Sequence, residues 1–187
     1  MVMYSLEKLA KVNDMVSGYV CHEEKPTLDS INRINEHFGF SLPQGLTDFA
    51  ILSANFGSFF ASLGEDYYNH YHIIRVNRIF RRLRRRAHGD KWRAAKPKPY
   101  IVINHGHDRC CDCIDTSDWN EAIQEYRIVF WYPGAKEVEY RYDSFLHYIN
   151  HHVMARANYH LNNINNSGNI RTPSREIAER IKRVLEL

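Results

Sequence analysis

Histidine and cysteine side chains crowd one short stretch of the chain. Its five potential metal ligands are His105, His107, Cys110, Cys111 and Cys113. Both residue types bind zinc, but structural zinc sites usually combine two separated pairs of ligands, and the one other cysteine lies far away in the sequence. A β-strand here would instead turn Cys111 and Cys113 to the same side as small core residues. We therefore predict no metal site and no cofactor.

A second pair of potential ligands, His147 and His151, has the spacing of one helix face. No glutamate adjoins His147 to serve as a general base, and the neighbouring Asn150 and His152 favour a hydrated polar surface. The sequence also lacks a glycine-rich phosphate loop and a Gly-x-Ser-x-Gly motif. We therefore expect no catalytic residues and a protein that is not an enzyme.

Eleven of the 25 Lys and Arg residues lie between Arg75 and Lys98, with one acidic residue among them. This segment could bind nucleic acid, with Phe80 and Trp92 stacking on bases. The candidate contacts are Arg78, Arg82, Arg85 and Arg86. Alternatively, an amphipathic helix packs by its apolar side and its arginines face solvent or pair with carboxylates. We favour the second interpretation, because the rest of the chain has 21 acidic and 14 basic residues and would repel a polyanion.

Acidic residues concentrate between positions 108 and 125, where a tryptophan accompanies them. The candidate partner-binding residues are Asp108, Asp112, Asp115, Asp118, Trp119, Glu121 and Glu125. We expect Asp108, Asp112 and Asp118 to be exposed near turns and strand ends. A negative surface attracts a positively charged protein, and tryptophan is common at interface hot spots. The alternative is a solvated acidic face with no partner.

Apolar spacing predicts the elements that position these residues. The predicted helices cover residues 4–16, 26–39, 42–54, 72–86, 143–153 and 172–185. The predicted strands cover residues 58–63, 100–104, 109–115, 126–132 and 138–142. The stretches 87–99 and 162–168 are predicted loops. Helices followed by a strand-rich stretch and more helices favour an α+β domain with an antiparallel sheet flanked by helices.

A length of 187 residues suits one domain. No apolar run approaches the roughly 18 residues of a membrane span, so no membrane association is expected. Charges interrupt the first residues, where a signal peptide needs an apolar stretch. These features predict a cytoplasmic protein.

Three segments resemble the SUKH superfamily, the Smi/Knr type. In Ile34–Gly57, a helix ends near Phe38-Gly39-Phe40 and is followed by Leu42-Pro43 and by Asn55-Phe56-Gly57. In Ile101–Asp115, a turn at Gly106 joins two strands. In Ile128–Ile149, Val129-Phe130-Trp131 precedes Glu139-Tyr140 and then Asp143-Ser144-Phe145, which opens a helix. We therefore predict a SUKH-like domain at residues 1–155, with a basic insert at 75–98, and a C-terminal helical extension at 156–187.

The resemblance implies a protein-binding domain without a catalytic centre. Many bacterial relatives are cytoplasmic immunity proteins, which neutralise a toxin, often a nuclease, delivered between competing cells. Some fungal relatives are regulatory or scaffolding proteins. The expected partner is therefore a polymorphic toxin domain, with a regulatory scaffold as the alternative.

Overall fold

The computed structural model describes residues 2–16, 26–53, 73–75, 77–78, 99–105, 111–131, 140–166 and 172–186. The five helices of these residues are α1 (Leu6–Val16), α2 (Leu28–Phe38), α3 (Gln44–Leu52), α4 (Phe145–Asn166) and α5 (Thr172–Leu185). The four strands are β1 (Tyr100–His105), β2 (Cys111–Asn120), β3 (Glu125–Trp131) and β4 (Tyr140–Tyr142). Residues 73–75 and 77–78 are also helical.

Local side-chain chemistry sets the ends of α2 and α4. Thr27 and Ser30 form a capping box at the start of α2, where each side chain accepts a hydrogen bond from the other residue's backbone N–H. Gly39 ends the helix with a φ of 70°, a conformation that glycine adopts without steric cost. The Ser144 hydroxyl accepts from the His147 N–H at the start of α4, as serine commonly does at a helix N-cap.

The strands form one antiparallel sheet in the order β1-β2-β3-β4. Ile114 lies opposite Ile101 on one side and Ile128 on the other, and Ile128 in turn lies opposite Tyr142. The pairing of β2 with β3 shifts between Ile114 and Trp119 and then resumes as far as the pair Asn120–Glu125. The predicted α+β fold with an antiparallel, helix-flanked sheet is confirmed.

One face of the sheet packs against the helices and forms the main core. It contributes Ile103, Ile114, Ile128 and Tyr142, and every helix α1–α5 adds buried apolar residues to the same cluster. Alternate strand residues point to the opposite face. There Val102, Cys111, Cys113, Val129 and Trp131 form a second buried cluster. The prediction that Cys111 and Cys113 are core residues on one side of a strand is confirmed.

Several boundaries differ from those predicted. Residues 162–166 continue α4 instead of forming a loop. Leu161, just before this stretch, still packs against the main core. β2 runs five residues beyond Asp115 because it pairs with β3 again after the register shift. The predicted strand 58–63, the loop 87–98 and the turn at 133–136 lie outside the described residues.

Within the described segments, no helix has both the length and the apolar character needed to cross a membrane.

Candidate protein-binding surface

The β2–β3 hairpin carries exposed apolar side chains at its tip. Trp119 is 41% exposed and Ile123 is 45% exposed. The turn between the strands is held by polar contacts: the Ala122 N–H donates to Asn120 Oδ1 at 3.1 Å, and Gln124 Nε2 donates to the Glu121 carbonyl at 2.9 Å. Tryptophan is common at interface hot spots, so the turn end of this hairpin is a candidate surface for binding another protein.

A single buried carboxylate, Glu125, ties the turn end of this hairpin to two helices. Its Oε1 accepts from the Gly45 N–H at 2.8 Å, and its Oε2 accepts from the Phe145 N–H at 3.0 Å. These donors belong to the first turns of α3 and α4, where backbone N–H groups lack partners within the helix and the helix dipole is positive. A Cβ at Gly45 would lie 2.8 Å from Oε1, so glycine leaves the room that this contact needs.

An aromatic row runs from the end of α2 to the hairpin tip, through Phe38, Phe40, Tyr126 and Trp119. Consecutive ring centroids lie 6.4, 5.5 and 4.8 Å apart, and each pair meets edge to face. Phe38, Phe40 and Tyr126 are half-buried. Edge-to-face contacts of this kind add to the stabilisation that the two rings gain from being buried. The row therefore joins the hairpin to α2 as one surface.

The predicted acidic candidates divide between surface and interior. Asp118 and Glu121 reach the surface near Trp119, and Asp118 pairs with Arg127 at 3.4 Å. Asp112, Asp115 and Glu125 are buried. The expectation that Asp112 is exposed is therefore wrong. Asp108 lies outside the described residues.

Asp112 is buried because both faces of β2 are covered over residues 111–115. Its Oδ2 accepts from the Tyr148 hydroxyl at 2.8 Å and from Asn104 Nδ2 at 3.2 Å. Burial raises the pKa of the Asp112 carboxyl, and these two hydrogen bonds oppose that effect. Asp115 lies where the register between β2 and β3 shifts. Its Oδ1 accepts from the Ser117 N–H and from the Ser117 hydroxyl.

Three of the four histidines of α4 lie around Tyr142 and do not form a ligand cluster. The rings of His147, His151 and His152 lie 5.5 to 6.1 Å from the Tyr142 ring. Burial lowers the pKa of His152 to about 4, and the nearby His151 and Arg156 act in the same direction. Among the described residues, no three His, Cys, Asp or Glu side chains are grouped to hold a metal ion.

The candidate nucleic-acid contacts lie almost entirely outside the described residues. Arg78 is helical and exposed, whereas Arg82, Arg85 and Arg86 are not described. Asn77, next to Arg78, and the earlier helical residue Ile73 are both buried. The Asn77 amide accepts from the Val102 N–H at 3.0 Å and donates to the Val102 carbonyl at 2.7 Å, so this helix is attached to β1.

Two features of the site are missing from the sequence-based prediction. The role of Glu125 rests on backbone donors that are 80 and 20 residues away in the sequence, so no local pattern indicates it. The aromatic row also crosses three elements, although the Phe38-Gly39-Phe40 motif and the proximity of Trp119 to Tyr126 mark its two halves.

The family model described as the SMI1 / KNR4 family (SUKH-1) matches residues 25–151. The matched segment is more than half of the chain and includes α2, α3, the sheet, the hairpin and the aromatic row. It leaves out α1, most of α4 and α5. No curated protein and no solved structure matches the chain.

Proposed function

Because the chain belongs to the SMI1/KNR4 (SUKH-1) family, we propose that it works by binding another protein and is not an enzyme. The cognate partner is a toxin domain, and the protein is the immunity protein that neutralises it in the cytoplasm. The family match supports this proposal, since the resemblance implies immunity proteins among the bacterial members.

The observation that carries the proposal is the ordered hairpin with an exposed tryptophan at its tip. Trp119 and Ile123 expose apolar surface, while Glu125 ties the same hairpin to two helices. A surface that is apolar, aromatic and already ordered loses little conformational entropy when a partner binds. Asp118, Trp119 and Glu121 are the partner-binding residues in this proposal.

Co-expression tests the proposal directly. The full chain is produced together with the toxin domain encoded beside its gene, and cell growth and complex formation are measured. We expect growth to be rescued and the two proteins to co-elute in size-exclusion chromatography. Continued toxicity together with separate elution would overturn the proposal. A stable partner that has no toxic activity would instead favour a regulatory scaffold.

A further inference from the structure

We propose that the aromatic row of Phe38, Phe40, Tyr126 and Trp119 is the docking surface for an arginine- and lysine-rich face of the partner protein. This inference rests on the proposed function and deepens it, because it states which chemistry the partner must present. The occupant is a basic protein surface, of the kind that a nucleic-acid-cleaving toxin uses to hold its substrate.

The row offers ring faces and edges to a partner. Its edge-to-face geometry leaves part of each ring unstacked, and Trp119, at one end, is the most exposed of the four residues. An arginine or lysine side chain can cover such a ring with its aliphatic stem and place its charge over the π system. Tryptophan is the strongest aromatic partner for a cation.

Carboxylates near the row match a positively charged partner. Glu36 adjoins the α2 end of the row and is exposed, and Glu121 is exposed in the hairpin turn. Asp118 and Asp143 lie 3.4 and 3.8 Å from the Arg127 guanidinium. Because Arg127 alternates with Tyr126 along β3, these three groups lie on the other face of the sheet, at the same end of the molecule. Among the described residues, Glu36 and Glu121 place exposed negative charges at the two ends of the row, and such charges attract and orient a basic surface.

The two ends of the row are held in place before any partner arrives. At the hairpin end, Glu125 next to Tyr126 binds the first turns of α3 and α4. At the other end, Asn35 Oδ1 accepts from the Leu42 N–H at 2.9 Å and closes the turn that carries Phe40. Preorganisation of this kind favours tight binding, because the rings are not reordered on contact.

The experiment has two arms, both with the full chain. In the first arm, an oligo-arginine peptide is titrated into the isotope-labelled protein, and an oligo-glutamate peptide serves as the control. Two-dimensional NMR follows the indole N–H of Trp119, which is identified by its loss in Trp119→Ala. In the second arm, the inactivated toxin domain encoded beside the gene is titrated into the wild-type protein and three variants.

The variants separate the row from the rest of the surface. Trp119→Ala removes the exposed end of the row, and Glu36→Gln with Glu121→Gln removes two carboxylates beside it. The matched control is Tyr159→Ala, because Tyr159 is a more exposed aromatic residue that lies on α4. All four proteins are compared by thermal unfolding, so that loss of binding is not confused with loss of folding.

We expect oligo-arginine, and not oligo-glutamate, to shift the Trp119 indole signal in a salt-sensitive manner. We also expect Trp119→Ala to weaken toxin binding at least tenfold while Tyr159→Ala leaves it within about twofold. An unshifted indole signal, or toxin binding that Trp119→Ala does not weaken, would overturn the docking surface and leave the proposed function standing. If oligo-arginine binds the row and the toxin domain does not bind at all, the proposed function fails and the surface chemistry is retained.

Discussion

Glu125 is a carboxylate that the sequence presents as one more surface charge and that the fold uses as a structural group. It follows the turn at residues 121–124, and five other acidic residues precede it within a short stretch. In the structure it is 8% exposed and bonds to two helix N-termini. A carboxylate suits this place because it accepts hydrogen bonds with both oxygens and carries the charge that the helix dipoles favour.

We predict that Glu125→Gln lowers the free energy of unfolding by about 2 kcal/mol, since one oxygen becomes an NH₂ donor that faces a backbone N–H. Chemical denaturation of the variant and the wild-type protein measures the difference. The matched control is Glu121→Gln, an exposed carboxylate in the same hairpin, for which we expect no change. Equal stability of the two variants would show that the two hydrogen bonds from the helix N-termini to Glu125 contribute nothing to stability.

Asp112 provides a prediction about pH. In the unfolded chain the pKa of this carboxyl is about 3.8, whereas burial raises its pKa in the folded protein. Above pH 3.8 the unfolded chain therefore binds fewer protons than the folded one, and the contribution of Asp112 to stability falls as the pH rises toward the folded pKa. Asp112→Asn does not titrate and keeps an oxygen that accepts from Tyr148 and Asn104.

We therefore expect the stability of Asp112→Asn relative to the wild-type protein to increase from pH 4 to pH 8. Urea unfolding at several pH values measures this difference, in which the titration of His152 cancels because both proteins contain it. Tyr148→Phe, by contrast, removes a donor from the buried carboxylate and costs about 1–3 kcal/mol at neutral pH. A difference between Asp112→Asn and the wild-type protein that is constant with pH would contradict the raised pKa.

At the scale of the elements, sequence reasoning works where the determinants are local. Apolar spacing and the residues Thr27, Gly39 and Ser144 indicate the ends of α2 and the start of α4, because caps act within one turn of the helix. It fails where tertiary pairing decides. β2 continues to Asn120 only because β3 lies opposite, and the asparagines after Leu161 stay helical although their own preference is weak.

The contact between Asn77 and β1 is a second consequence of tertiary structure. The amide of Asn77 pairs with both backbone groups of Val102, in the manner of a neighbouring strand. β1 stands at one end of the described strand order, so its outer backbone groups need such a partner. A side-chain amide is suitable because it offers one donor and one acceptor side by side.

We predict that Asn77→Ala destabilises the protein by about 2 kcal/mol, because it leaves the Val102 N–H and carbonyl without their partner. Thermal unfolding and native-state hydrogen exchange at the Val102 amide measure the effect, and we expect faster exchange at that amide. Arg78→Ala, at the exposed neighbouring position, is the control. Unchanged protection of the Val102 amide in Asn77→Ala would show that the contact is not maintained in solution.

At the scale of the whole molecule, the folded unit extends beyond the family match. Residues 25–151 contain the sheet and the candidate surface, yet α1 and α5 supply part of the same core. Leu9 and Val12 of α1 and Ile181 and Leu185 of α5 are buried in it, and α5 packs against both α1 and α4. The amphipathic pattern of α5 predicts the helix and its apolar face, but it does not indicate what that face contacts.

We predict that removal of residues 172–187 from the otherwise complete chain lowers the free energy of unfolding by roughly 4 kcal/mol or more. Each large apolar side chain withdrawn from a core typically costs about 2–5 kcal/mol, and two such side chains are lost here. The ion pair between Lys8 and Glu186 adds little, since both groups are exposed. Chemical denaturation and size-exclusion chromatography measure stability and self-association.

Substitutions on the outer face of α5 provide the control for this deletion. Glu176→Gln combined with Arg180→Gln changes two exposed residues of the helix and keeps its apolar face, so we expect wild-type stability. Ile181→Ala keeps the helix and removes one buried side chain, so it should lie between the wild-type protein and the deletion. If the shortened chain unfolds at the wild-type denaturant concentration, the core does not need α5, and the cooperative folding unit is the family-matched segment together with α1.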